Sequence, residues 1–184
     1  DLEIFDPTEP ASETLIEWAK SAEGAALAVD GITNSEGAEA DWTQSHVAIA
    51  GTNGFAGAYS SSSFSVSACV LAGKGTEMER DYDYSSTVFA RDLQDPEIIG
   101  KKAGERTIER LNPKKAKSAK VPVVYDPRVS NGIVRHVTGA INGVSIARGT
   151  SFLKDCMGKK IFPKSVSIID DPHRLRGLSS KPFD

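Results

Sequence analysis

Three histidines, two cysteines and scattered carboxylates are the side chains of this chain that could do chemistry. His46, His136 and His173 are the only histidines, and Cys69 and Cys156 the only cysteines. A catalytic zinc site needs neutral imidazole or thiolate donors at close spacing, and a carboxylate to take a proton from bound water. No two histidines stand at such a spacing, and no Cys-x-x-Cys occurs. Asp170, Asp171 and His173 form the one local cluster of donor atoms. Its aspartates are read as turn caps or partners of Arg174 or Arg176 rather than as ligands. A serine nucleophile on an elbow would need G-x-S-x-G after a strand, and Gly149-Thr150-Ser151 has no strand before it. No G-x-x-x-x-G-K-[ST] loop is present to cradle phosphate. No catalytic residue and no metal ligand is therefore assigned.

Charge narrows the partners. The net charge is −3 with both signs mixed, whereas a nucleic-acid surface is basic. The one basic run, Lys114, Lys115, Lys117 and Lys120, lacks the interleaved aromatics on which single-stranded bases stack. It is read as a solvated linker, and no nucleic-acid partner is expected. Two cysteines outside any motif fit free thiols in a reducing cytoplasm, though a single Cys69–Cys156 disulfide stays open. No run of about 18 apolar residues suggests a membrane span, and no signal peptide is visible. The expected location is cytoplasmic.

The elements that must position these residues read as follows. Pro10 opens a helix reaching Val29, with Leu15, Trp18, Ala22 and Ala26 on its apolar stripe. Asn34, Ser35 and Glu36 then form a polar patch, read either as a turn or as the lining of a cleft. From residue 38 to 89 the period is two. Asn53-Gly54 marks a tight hairpin, Lys74-Gly75 a second turn, and Phe64, Val66, Ala68 and Val70 alternate in the middle strand. This makes an antiparallel meander with one polar side, which faces water or a partner subunit, or accepts a peptide by strand addition at an edge.

Asp95-Pro96 and Asp126-Pro127 each start a helix, with Asp as N-cap and Pro at the first helical position. In the first, Ile99, Ala103, Ile108 and Leu111 face inward. Glu97, Lys101, Lys102, Glu105, Arg106 and Glu109 face outward, with Glu97 and Lys101 spaced to pair. A short buried strand is predicted at 121–125 and another within 166–170. Between them runs a helix with Val129, Ile133, Val137 and Ile141 on one face. Gly132, Gly139 and Gly143 interrupt that helix, so it breaks at Gly139 or Gly143, or another backbone approaches there. The fold class is α+β, an antiparallel β-meander flanked by helices. Residues 1–184 are read as one region.

The run ARGTSFLKD at 147–155, with IFP at 161–163, VSIIDDP at 166–172, RGLSSKPFD at 176–184 and VDGITNSEGA at 29–38, resembles the TldD/PmbA family, in its PmbA (TldE) branch. The resemblance spans nearly the whole chain but only the middle of a family protein. It implies an excised piece of a larger two-domain protein, missing an N-terminal α/β domain and a C-terminal region. It further implies a two-subunit cytoplasmic metallopeptidase that trims unfolded or leader-bearing peptides, in a family also called modulator of DNA gyrase. The zinc motif of the catalytic branch is H-E-x-x-x-H. Counted back without gaps from VSIIDDP, its positions fall on Val134, Arg135 and Gly139, none of which can replace imidazole or carboxylate. The resemblance thus implies no cofactor in this chain, with zinc expected in a TldD-like partner of a heterodimer. A homodimeric binding or scaffold protein is the alternative. Candidate residues for a peptide cleft or subunit interface are Asn34, Ser35 and Glu36, with Arg148, Ser151, Phe152 and Asp155 from the most family-like block. For that block a structural role is equally open, with Phe152 packed and Arg148 paired to Asp155.

Overall fold

The computed structural model describes residues 1–183. Asp184, the last residue of the family-like tail, lies outside the described residues. Rather than one region, the chain forms two compact units, Asp1–Lys114 with the tail from Asp171, and Lys115–Asp170.

The larger unit is a three-stranded antiparallel sheet in the order β1-β2-β3, with two helices on one face. Helix α1 spans Ser12–Leu27, β1 Ile32–Ala50, β2 Ala56–Ala72, β3 Glu79–Thr87 and α2 Pro96–Glu109. The architecture is the expected α+β meander. Strict alternation on β2 sets its inner face: Phe64, Val66, Ala68, Val70 and Ala72 are all buried. They meet Ala22 and Ala26 of α1 and Ile99 and Ala103 of α2. Small residues bring the helices close. A Cβ on Gly100 would land on the carbonyl oxygen of Ala22 and 3.0 Å from the nitrogen of Ala26. The Asp95 carboxylate accepts the Glu97 N–H at 2.9 Å, so the predicted cap forms.

Several local expectations change. ITNSEGA is not a turn: β1 already begins at Ile32, with register shifts between Ile32 and Asn34 and between Ser35 and Gly37. The hairpin at Asn53-Gly54 is wider than a two-residue turn, closed by the Gly51 N–H donating to the Phe55 carbonyl at 2.9 Å. Arg106 does not face outward. It pairs with the buried Asp83 of β3, while Arg110 lies 3.6 Å from Asp81. Lys101 meets Glu105, not Glu97, at 3.8 Å on the exposed side. The opening segment is built into this unit. Buried Asp6 accepts the Ala90 N–H at 2.9 Å, and the Ile4 carbonyl accepts the Ser62 N–H at 3.0 Å. The tail joins it, with Arg176 donating to Glu3 at 2.7 Å and Asp92 at 3.2 Å beneath the Phe89 ring. Arg176 therefore does not pair with the tail aspartates, and Asp171 caps the His173 N–H at 3.0 Å.

The smaller unit holds α3, Pro127–Ile141, and α4, Gly143–Ala147. Asp126 caps α3 through the Arg128 N–H at 2.9 Å, as the Asp-Pro pair predicts. The helix ends at Asn142, whose side chain caps α4 through Val144 and Ser145. No atom among the described residues lies within 4 Å of a Cβ built on Gly132, Gly139 or Gly143, so no described backbone approaches them closely. Neither predicted strand forms here. Residues 121–125 and 166–170 have no ladder partner among the described residues, and Val124 is 95% exposed. Their apolar, β-branched composition matches a buried strand, but pairing is a property of the neighbours and none is placed beside them.

Candidate functional site

The polar face of the sheet, opposite the helices, carries the most organised cluster of side chains. Its rows follow from the register. Cys69 on β2 stands between Gly37 on β1 and Tyr82 on β3, and Ser67 between Glu39 and Tyr84. A bulge puts one extra residue into a strand and re-aims a side chain. The irregularity between Ser35 and Gly37, with Gly37 at φ +120°, does this for Glu36. Glu36 reaches the polar face, while Ser35 turns toward α1 and donates to Glu23 at 2.6 Å.

Glu36 there accepts two hydrogen bonds from Arg80 of β3, each 2.8 Å, and one from the Cys69 thiol at 3.1 Å. One residue from each strand is thus joined across the sheet. An open concavity of about 1110 Å³ lies over these residues, lined also by Met78, Tyr82 and Arg110. Tyr82 and Tyr84 stack with ring centroids 6.2 Å apart and are both exposed.

Electrostatics follow from these contacts. Hydrogen bonds from Cys69 and then Arg80 hold the Glu36 carboxyl below its ordinary range. Burial, then the hydrogen bond to the Glu36 carboxylate, pushes the Cys69 thiol up to about 11. The thiol is therefore protonated at neutral pH and is a poor nucleophile. Glu36 has both oxygens engaged, which leaves it poorly placed as a general base. The trio is suited to holding strands and presenting polar groups.

Of the remaining candidates, Asn34 accepts the Ser35 N–H at 2.9 Å, a local turn-like bond within the bulged segment. Arg148, Ser151, Phe152 and Asp155 lie in the smaller unit. Ser151 is buried. It donates to the Ala140 carbonyl at 2.6 Å and accepts the Leu153 N–H at 2.9 Å, which ties the loop to α3. Phe152 is 78% exposed and not packed, contrary to its structural reading. Arg148 caps α4 through its backbone N–H, and among the described residues it forms no ion pair with Asp155. Arg80 and Cys69 were missed as site residues. Alternation places Arg80 on the same face as Tyr82 and Tyr84, but nothing local ties it to Glu36.

The metal question falls on α3. Val134, Arg135 and Gly139 all lie on this helix, and His136 is exposed on it. An alkyl group, a fixed cation and a hydrogen atom supply no donor for zinc. Among the described residues no three His, Cys, Asp or Glu side chains converge as a metal site would require. The residues present do not fit a zinc ion.

Residues 5–111 match the family model described as the PmbA/TldA metallopeptidase central domain, and residues 118–184 match its C-terminal domain. The chain is 40% identical along its whole length to a metalloprotease PmbA of Escherichia coli. It is 36% identical to a metalloprotease PmbA homolog of Haemophilus influenzae. In both cases it covers 41% of the relative. A crystal structure from Bacteroides thetaiotaomicron, of a protein named as a modulator of DNA gyrase, superposes with a TM-score of 0.93 at 29% identity. That match covers all of this chain and 43% of the other. The chain thus spans about two fifths of the length of the relatives it matches.

Proposed function

The chain belongs to the PmbA/TldD metallopeptidase family, and on that premise we propose that it is part of a subunit that shapes a peptide cleft while a related chain holds the zinc. The observation carrying this reading is the donor set on α3. The family is named for metal-dependent peptidase chemistry, yet an ungapped count back from VSIIDDP sets the zinc motif on Val134, Arg135 and Gly139, none of which carries a donor for zinc. No hydrolytic step is assigned to this chain. Its own residues contribute binding: the polar sheet face with Glu36, Arg80 and the stacked tyrosines offers hydrogen bonds and ring surfaces to a polar, extended segment. The proposed substrates are unfolded or leader-bearing peptides, and the proposed setting is the cytoplasm. Among the described residues no helix is long and apolar enough to cross a membrane.

The test is metal analysis and peptidase assay of the intact protein purified alone and with a TldD-like chain from the same source. The expected outcome is no stoichiometric zinc alone and activity only in the mixture. Stoichiometric zinc together with peptidase activity in the lone protein overturns the proposal. No activity in either sample, with only self-association recovered, favours a homodimeric scaffold instead.

A further inference from the structure

Charge on the polar sheet face is unevenly answered. The three strands hold one Lys or Arg between them, Arg80, and both oxygens of Glu36 already engage it. The acidic residues on the helix side of β3 are met from α2, Asp83 by Arg106 and Asp81 by Arg110. Glu39 has no such partner. Its neighbours Ala38 and Ala40 pack against the core, so alternation turns Glu39 to the polar side. It is exposed there, and it forms no hydrogen bond or ion pair among the described residues.

Register sets what stands across from it. Glu39 pairs with Ser67, and Ser67 pairs with Tyr84. A carboxylate and a phenol ring thus flank one short hydroxyl side chain, their backbones two strand spacings or about 10 Å apart. Ser67 does not fill that gap, and Glu39 and Ser67 both line the concavity. Tyr84 is 47% exposed, and Tyr82 stacks against it with the ring planes 25° apart. The face of a tyrosine ring and a free carboxylate attract the same chemistry, a cation able to donate hydrogen bonds.

We infer that the row Glu39, Ser67, Tyr84 is a subsite for a basic side chain of the bound peptide, arginine ahead of lysine. The guanidinium lies across Ser67, donates to the Glu39 carboxylate and stacks on the Tyr84 ring. Arginine leads because its planar fork suits both contacts at once, whereas the lysine ammonium is a strongly hydrated point charge. An acidic side chain in this row meets Glu39 and, two residues along β1, Asp41, while Arg80 is held by Glu36. An uncharged side chain gains neither contact. This subsite rests on the proposed role of the polar face as a peptide cleft, and it is independent of where the zinc is held.

The experiment is fluorescence anisotropy of short labelled peptides with the intact protein purified alone. The peptides share one Gly/Ser/Ala sequence and differ only in a central Arg, Lys, Gln or Glu. The expected result at low salt is an Arg peptide bound about 5- to 20-fold more tightly than the Gln peptide, with Lys between them and Glu weakest. The advantage falls as salt is added. Glu39→Gln and Tyr84→Leu each reduce it to below about 4-fold and leave the Gln peptide unchanged, while Glu97→Gln on α2 alters nothing. Circular dichroism checks that the variants fold, and the four peptides on the wild-type protein test the preference without them. Equal affinity for all four, a preference for Glu, or an Arg advantage that survives both variants overturns the inference and leaves the cleft standing. If no peptide binds, the cleft itself fails and the subsite with it.

Discussion

Replacing Gly100 by Ala sets two physical effects against each other with opposite signs. In a helix interior, Gly to Ala stabilises by about 1 kcal/mol through backbone entropy. At Gly100 the added methyl carbon would overlap the Ala22 carbonyl oxygen and lie 2.8 Å from the Ala22 carbonyl carbon and 3.0 Å from the Ala26 nitrogen. These are backbone atoms of α1, so no rotamer change relieves the clash and the helices must separate. Separation loosens the layer in which Ala22, Ala26, Ile99 and Ala103 are fully buried. Overpacking costs typically about 1–3 kcal/mol, and a clash between backbones belongs at the upper end. The net expectation is a loss of about 2 kcal/mol, or roughly 5–10 °C in Tm for a unit of this size. At Gly104 the Cβ meets the Val29 side chain at 2.6 Å and the Ala26 carbonyl oxygen at 3.0 Å. A side chain can give way, so the loss there is smaller. Gly132→Ala and Gly139→Ala on α3 meet nothing within 4 Å and are expected to stabilise by up to about 1 kcal/mol. Urea unfolding of the intact protein, followed by circular dichroism, gives the four values. A neutral or stabilising Gly100→Ala, or a loss at Gly132 as large as that at Gly100, refutes the argument that close helix approach selects glycine.

Three further outcomes follow from the site and its supports. In a Cys156→Ser background, Cys69 should react with iodoacetamide at pH 8 roughly two orders of magnitude more slowly than a free thiol of pKa about 8.5, because its own lies at about 11. Glu36→Gln should accelerate the reaction only in part, since burial is the larger cause; a rate matching a free thiol in the wild type refutes the contact. For Asp6, burial raises the pKa, but hydrogen bonds from Thr8 and Ala90 and the Arg91 charge outweigh it, so the folded value is depressed. Its contribution is present above the unfolded pKa and lost as pH falls through the folded one. Asp6→Asn should therefore lose about 1–3 kcal/mol at pH 7, with the gap to wild type closing on acidification below about pH 4; a gap that widens in acid contradicts the sign. Ser151→Ala leaves the Ala140 carbonyl and Leu153 N–H without their partner, which should cost about 1–3 kcal/mol. The loss is read as faster amide exchange across α3 and the following loop, and unchanged protection there argues against the tie.

Local chemistry made some elements legible. Asp95-Pro96 and Asp126-Pro127 announce helices because capping and the fixed proline φ act within four residues, and both caps form. Alternation in β2 marked its buried face because a strand's side chains must alternate. Residues 121–125 show the opposite case: the same apolar composition has no partner strand among the described residues and does not form a strand. Arg106 looked like one more outward charge on an amphipathic helix until β3 placed Asp83 beneath it. Glu36 was singled out as polar, but its partners lie 33 and 44 residues later.

The amino-acid order alone settled the family, the two Asp-Pro helix starts and the alternating buried face of β2. These depend on residue identity and short spacing, which folding does not alter. Tertiary structure alone decided that Glu36, Cys69 and Arg80 meet and that Gly100 lies against Ala22. Each of these depends on the pairing register or on how closely two helices approach. Those are set by the packing of segments distant in sequence, and no local window of the chain contains them.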